Sequence, residues 1–558
     1  MRRRRIGAAA VTAFAAAVPL AFLAVFFLLP VAGMVAKGFW SEGGLDLSGV
    51  GEVLAHPRTG RIVGFTVAMA AAATFVCVVV GVPVAHALYR LDLPGRRFLR
   101  ALVVMPFVLP TVVVGVMFRS LLAPGGWLGW LGLDGSWQAI LAAYVFFNLA
   151  VVVRTVGAAW EGLDRRPEQA AAALGAAPRV VFTTVTLPAL RPAIVSAASV
   201  VFLFCATAFG VVLTLGGLRY GTIETEIYLL TTALLDLRGA AVLSILQFVA
   251  VVLMLVIVDR ARSGGGVVGS GTGGGTRTLS APSAPGRITT AALPSLAVTS
   301  AVVAFIALPV IALVARSLQR GGEWTLANYR ALGALDTRRG LPTTGWEALA
   351  TSWRIAIDAT VVAVGLGLLV AVLVTRPAHT TGQARRRRML DSVVMFPLGI
   401  SAVTVGFGLL ITLEWLPFNL RTSPLLIPLA QAMVALPLVV RTLAPVLRAI
   451  DDRQRQAAAA LGASPSRVWV TVDLQAVWRP LLAAVGFALA VSLGEFGATS
   501  FLVRPERPTL PVVIYQLIGR PGADNLGLAL AASVVLAAVT VTVMVLVERL
   551  RVPSVGAF

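Results

Sequence analysis

The chain has 558 residues, of which 58% are hydrophobic and 13% charged, with a formal charge of +21 at pH 7. A soluble globular chain carries about 25% charged residues, so the composition is that of a polytopic membrane protein. The charge does not point to nucleic acid, because the arginines lie between apolar runs, where they set topology, and no basic domain stands outside those runs.

Arg2 to Arg5 precede an apolar stretch near 8–35. That is longer than the roughly 7–15 residues of a signal-peptide core, which predicts a retained first span with a cytoplasmic N-terminus. Further spans are predicted near 62–88, 101–121, 138–157, 192–215 and 239–258. From Ser263 to Gly286 the chain is mostly Gly, Ser, Thr and Pro, the composition of a flexible linker. Six more spans are predicted near 290–315, 353–374, 392–413, 424–445, 481–502 and 526–547. The expected fold is therefore all-α, with about twelve transmembrane helices in two six-helix halves, 1–262 and 288–558, joined by a linker over 263–287. With both termini inside, the arginine-rich loops around Arg96, Arg165, Arg385 and Arg453 fall in the cytoplasm; Arg338, Arg339, Arg504 and Arg507 weaken the bias. The expected location is the plasma membrane.

The halves are a repeat. Gln169 to Ala176 reads Gln-Ala-Ala-Ala-Ala-Leu-Gly-Ala, and the same eight residues recur 287 positions later as Gln456 to Ala463. At that offset Val152-Val153-Arg154-Thr155 matches Val439-Val440-Arg441-Thr442, Phe209-Gly210 matches Phe496-Gly497, and Ile227-Tyr228 matches Ile514-Tyr515. Pro106 and Gly115 recur as Pro397 and Gly406 with their spacing kept. Halves of the same sense imply a pseudo-two-fold axis along the membrane normal, with the path at the interface between repeats.

Each eight-residue copy lies in a long polar interval, about 158–190 and 446–479. The alanines favour a short helix, Gly175 and Gly462 suit a left-handed cap, and Pro178 and Pro465 suit the first turn of a second helix. Identity kept in two extramembrane loops calls for a role there, since loops ordinarily drift. Arg154 and Arg441 lie toward the cytoplasmic ends of their spans, placed either to snorkel or to pin these loops through Asp164 or Asp451.

Elsewhere the chemistry is sparse. Lys37 is the only lysine and lies in no Walker A pattern. Cys77 and Cys205 fall inside apolar runs, and His56, His86 and His379 show no metal-ligand spacing, so neither a disulfide nor a bound metal is expected. Glu495 is a carboxylate within a span, placed either to line the path or to hold neighbouring helices by hydrogen bonds. Tyr220, Glu224, Glu226 and Tyr228 form an oxygen-rich segment, expected as a polar helix at the outer surface; a ferric-ion contact is a second reading. Pro106 and Pro397 break their helices, and with Phe209, Gly210, Glu495, Phe496 and Gly497 they form the candidate path.

The two loops resemble the Glu-Ala-Ala loop of ABC importer permeases. The copies read Gln169-Ala170-Ala171 with Gly175 and Leu187-Pro188, and Gln456-Ala457-Ala458 with Gly462 and Leu474-Gln475. Glutamine replaces the motif's acid in both, and the second copy lacks its proline. Met105 to Pro110, Gly494-Glu495-Phe496-Gly497, and Thr214 to Gly217 followed by Thr222-Ile223-Glu224 are similar to the fused two-half ferric-iron and thiamine permeases. The resemblance implies a type I importer permease without an ATPase site or cofactor of its own. Its loops would dock on two ATP-hydrolysing subunits, and an extracytoplasmic binding protein would deliver the cargo. Ferric iron and thiamine lead as cargo through that resemblance alone.

Two other classes compete. A proton-coupled transporter of the major facilitator type also has twelve spans, and Asp92 to Arg97 partly matches its loop signature, yet the duplicated loops are then unexplained. A membrane-embedded enzyme or channel has only the intramembrane carboxylate in its favour.

Overall fold

The computed structural model describes residues 15–41, 44–217, 219–264, 292–334, 343–376, 380–413 and 423–550. Most of the expected linker, and the segment carrying Arg338 and Arg339, lie outside the described residues. In the first half the helices are α1 (Ala15–Phe39), α2 (Ser48–Ala55), α3 (Pro57–Arg90), α4 (Arg96–Val108), α5 (Thr111–Leu122), α6 (Trp137–Glu161), α7 (Arg166–Ala173), α8 (Pro178–Ala206), α9 (Gly210–Leu215), α10 (Ile223–Thr232) and α11 (Leu237–Gly264). In the second they are α12 (Leu293–Ser317), α13 (Ala327–Ala331), α14 (Gly345–Thr375), α15 (Thr381–Met395), α16 (Ala402–Thr412), α17 (Leu426–Ala449), α18 (Asp452–Ala460), α19 (Pro465–Gly494), α20 (Gly497–Leu502), α21 (Leu510–Ile518) and α22 (Ala523–Leu550). After the first helix of each half comes a two-residue antiparallel hairpin, with Trp40 opposite Leu45 in one and Gln319 opposite Trp324 in the other.

Among the described residues ten helices are long and apolar enough to cross a membrane. The twelve expected spans are not all continuous, the third and fifth of each half being broken. The predicted span 101–121 is bent by 103° between α4 and α5. A 3₁₀ turn at Met105–Val108 leads into Pro110, which holds Leu109 extended and lacks the N–H needed to continue the ladder. In the second half a 3₁₀ turn at Phe396–Gly399 is followed by Ser401, whose hydroxyl accepts the Thr404 N–H and starts α16 afresh. The predicted span 192–215 instead begins at Pro178, ends at Ala206 and resumes as the separate α9; 481–502 is likewise divided into α19 and α20.

The repeat is visible in the packing. Gly81 lets α3 approach Val152 of α6, and Gly367 lets α14 approach Val439 of α17; an added Cβ would sit 2.7 Å and 2.5 Å from the respective valine Cγ1. Small residues are what allow close helix approach where lipid offers no hydrophobic drive. Gly115 faces Thr214, and Gly406 faces Ala498, so each broken third span packs on the broken end of the fifth span in its own half. The first span of each half also reaches the other half: Pro30 of α1 meets Gly408 of α16, and Phe305 of α12 packs its ring against Phe118 and Phe146. One large apolar core spans both halves, with two small clusters beside it.

Candidate coupling and transit site

Each duplicated loop is a short helix closed by a left-handed glycine. Gly175 has φ +85° and Gly462 has φ +84°. The Ala176 N–H reaches the Ala171 carbonyl at 3.1 Å and the Gly175 N–H reaches Ala172 at 3.0 Å. Ala463 to Ala458 and Gly462 to Ala459 repeat those bonds at the same lengths. This is a Schellman closure, which satisfies carbonyls the helix end would otherwise leave open. Exposure is duplicated as well. Gln169, Ala170, Gln456 and Ala457 are exposed, Ala171 and Ala458 half-buried, and Leu174 and Leu461 each 89% exposed. An apolar leucine held outward on a rigid turn is the contact a partner's pocket would take.

Beyond the turn the structure departs from expectation. Pro178 and Pro465 do start helices, but those helices are the bases of the fifth spans, continuous through π turns at Phe182–Thr186 and Trp469–Asp473. Each handle is thus fused to a helix of 29 or 30 residues, about 43–45 Å of lever at 1.5 Å per residue.

Asp164 and Asp451 cap their own short helices, accepting the Arg166 and Arg453 N–H groups at 3.0 Å and 2.9 Å. Other residues also tie each loop to the spans. In the first half Glu168 accepts from Arg90 Nη2 at 2.6 Å and from Thr186 Oγ1 at 2.8 Å. In the second, Asp473 accepts from Arg455 Nε at 2.8 Å and from Arg376 Nη2 at 3.4 Å. Burial opposes the Arg455 charge, but its bonds to Asp473 and Asp452 prevail and raise its pKa. Arg376 directly follows α14 and Arg90 ends α3, while Arg455 stands at the repeat position of Glu168 and Asp473 at that of Thr186. The clasp is kept and its acid has moved from the handle to the base of the span. The sequence marks Glu168 as the acid beside Gln169 and Arg455 as a cytoplasmic arginine but pairs neither, although Glu168/Arg455 and Thr186/Asp473 as complementary changes at one offset are a readable signal.

The levers end where the halves meet. Phe209 and Phe496 stack with centroids 5.4 Å apart and planes 18° apart; Tyr228 flanks the first at 5.3 Å and Tyr515 the second at 5.5 Å. Gly210 approaches Thr111 and Gly497 approaches Ala402, so the breaks after Pro106 and Pro397 lie beside this stack. The candidate path residues thus converge, and Glu495 is engaged in hydrogen bonds beside them. Its carboxylate accepts from the Ala498 N–H at 2.7 Å, from the Thr499 N–H at 3.0 Å and from the Thr499 hydroxyl. It caps α20, replacing the N–H partners lost at the break. Glu495→Gln is therefore expected to lower thermal stability by about 1–2 kcal/mol and to leave uptake within threefold of wild type. Thermal unfolding and labelled-cargo uptake check this pair of outcomes.

The oxygen-rich segment is also corrected. Glu224 and Glu226 are buried, not a polar outer surface; Arg58 pairs with Glu226 at 2.7 Å, and Glu224 accepts from Gln247 and Ser401. Among the described residues no group of three or more His, Cys, Asp or Glu is placed to hold a metal.

Residues 78–262 match the family described as "Binding-protein-dependent transport system inner membrane component". The sulfate transport system permease protein CysT of Escherichia coli (strain K12) is 33% identical over 207 residues, covering 36% of this chain and 72% of that protein. The chain belongs to this permease family. The permease is also similar along nearly its whole length to the thiamine transport system permease protein ThiP. The Brucella abortus (strain 2308) protein is 27% identical over 511 residues, 89% of each chain. The Escherichia coli (strain K12) protein is 27% identical over 524 residues, 92% of this chain and 90% of that one. Among solved structures, a chain of a bacterial ABC transporter involved in the import of the acidic polysaccharide alginate matches 47% of the permease and 99% of itself. That match has a TM-score of 0.41 and 16% identity. The permease is the membrane-spanning subunit of a binding-protein-dependent ABC importer, as the duplicated loops imply.

Proposed function

We propose that this permease carries thiamine inward by alternating access, worked by two ATP-hydrolysing ABC subunits and supplied by an extracytoplasmic binding protein. The observation that carries the coupling is the pair of handles, identical over eight residues and matched in exposure, hydrogen bonding and glycine conformation. Two equal handles suit two equal clefts. Closing of an ATPase pair on ATP would move Leu174 and Leu461, and the unbroken α8 and α19 would deliver that motion to the Phe209–Phe496 stack. Nucleotide chemistry belongs to the partners, since the chain's sole lysine, Lys37, sits in α1 and not in a phosphate-binding loop. Thiamine takes precedence over ferric iron because the relatives that span the chain are thiamine permeases. The arginine pattern supports cytoplasmic termini and a plasma-membrane location.

The test is reconstitution with the ATPases and the binding protein in proteoliposomes. Thiamine uptake that requires ATP and the binding protein supports the reading. Uphill uptake by the permease alone, without any ATPase, would overturn it.

A further inference from the structure

Among the described residues two buried carboxylates have no basic partner, Glu495 and Glu224. The oxygens of Glu495 are used by the end of α20. Those of Glu224, fully buried, receive only neutral donors: Gln247 Nε2 at 2.5 Å and Ser401 Oγ at 2.9 Å. A carboxylate offers about four lone-pair sites, so two bonds leave capacity for another donor. Gln247 is only 5% exposed, yet its Oε1 has no partner; it belongs to the same amide that touches Glu224, so an unmet acceptor lies beside the acid. A buried carboxyl group that meets no cation, beside an unmet amide oxygen, suits a positively charged group bearing N–H donors, whose charge would favour the carboxylate form.

Position supports this. Glu224 starts α10 and Gln247 lies in α11, both in the first half, whereas Ser401 sits at the break of the second. The cluster therefore bridges the halves, and Tyr228, one turn along from Glu224, joins it to the aromatic stack. The repeat positions of Glu224, Gln247 and Ser401 are Pro511, Val534 and Pro110. Symmetry of the fold does not demand the polar set, and only one of the two equivalent faces carries it.

We propose that Glu224, with the Gln247 amide and the Ser401 hydroxyl, forms a transit site for a cationic group of the cargo on this face of the half interface. The inference rests on the reading of the cargo as thiamine, a cation. It is tested in proteoliposomes holding the permease, its ATPases and the binding protein, with radiolabelled thiamine as probe. Glu224→Gln is expected to lower uptake at least tenfold, while ATP turnover stimulated by the binding protein stays within twofold of wild type. Glu224→Asp should recover part of the loss. Uptake by Glu224→Gln within twofold of wild type overturns the site. Should that variant fail to assemble, Gln247→Leu is expected to lower uptake at least threefold, and unchanged uptake there overturns the site equally. If the wild-type complex moves no thiamine, the cargo reading fails by itself, and spermidine and sulfate become the probes. Loss of spermidine uptake in Glu224→Gln then supports the site, and a wild type that moves no cation overturns it.

Discussion

Replacing Gly175 and Gly462 together by valine is expected to reduce uptake more than a hundredfold while leaving the amount of inserted protein unchanged. Space is not the obstacle, since a Cβ at either position meets nothing within 4 Å. The obstacle is the backbone, at φ +85° and +84°. An L-residue held there costs about 1–2 kcal/mol, and β-branching adds to it. That is too little to unfold a membrane domain, but the alternative to bearing the strain is to reopen the Schellman turn. Reopening swings Leu174 and Leu461 off the axis of their levers, and both handles must be set for a two-sided ATPase to close. The alanine pair carries less strain and should keep measurable uptake. Labelled-cargo uptake together with immunoblotting of membranes separates these results, and normal uptake in the valine pair would refute the coupling assignment.

Arg455→Glu is expected to cut uptake at least tenfold, and adding Asp473→Thr is expected to bring it back to within about threefold of wild type. The single change sets a carboxylate against Asp473, which is only 1% exposed and loses its 2.8 Å donor. Removing the close donor of a buried acid and adding a like charge costs about 3 kcal/mol or more, because the Arg376 contact at 3.4 Å is too long to compensate Asp473 alone. The double change reproduces the order of the first half, an acid on the handle between a hydroxyl at the base of the fifth span and an arginine ending the second. Arg376 then serves as Arg90 does for Glu168. Recovery in the double variant would be hard to obtain from packing alone, so an equal loss in both variants would discard the clasp as the link between handle and lever.

Much of this is legible in the residues themselves. The offset repeat, Gly175 and Gly462 as left-handed caps and Pro178 and Pro465 as helix starts all come from local chemistry, and each is observed. For the spans, the limit is that hydropathy reports an apolar run and not its direction. Nothing in the composition of 101–121 distinguishes a straight span from one bent by 103°, although Pro106 and Pro110 marked the spot. The sequence leaves Glu495 as either a path-lining or a hydrogen-bonding group, because its partners, the N–H groups of Ala498 and Thr499, exist only once the helix is broken before them. Glu224 reads as surface because an acidic helix start ordinarily is; its burial depends on Ser401, 177 residues away. The clasps are readable only as complementary changes at one offset, because their acid lies on different elements in the two halves.

The bond between Glu224 and Ser401 draws one residue from each half. A homodimer of the first half would set Glu224 against Pro110, and a homodimer of the second would set Pro511 against Ser401, so neither could assemble the pair. Joining unequal halves in one polypeptide fixes their stoichiometry at one to one. Gene fusion here secures heterologous pairing, which independently expressed halves would have to find by selective assembly.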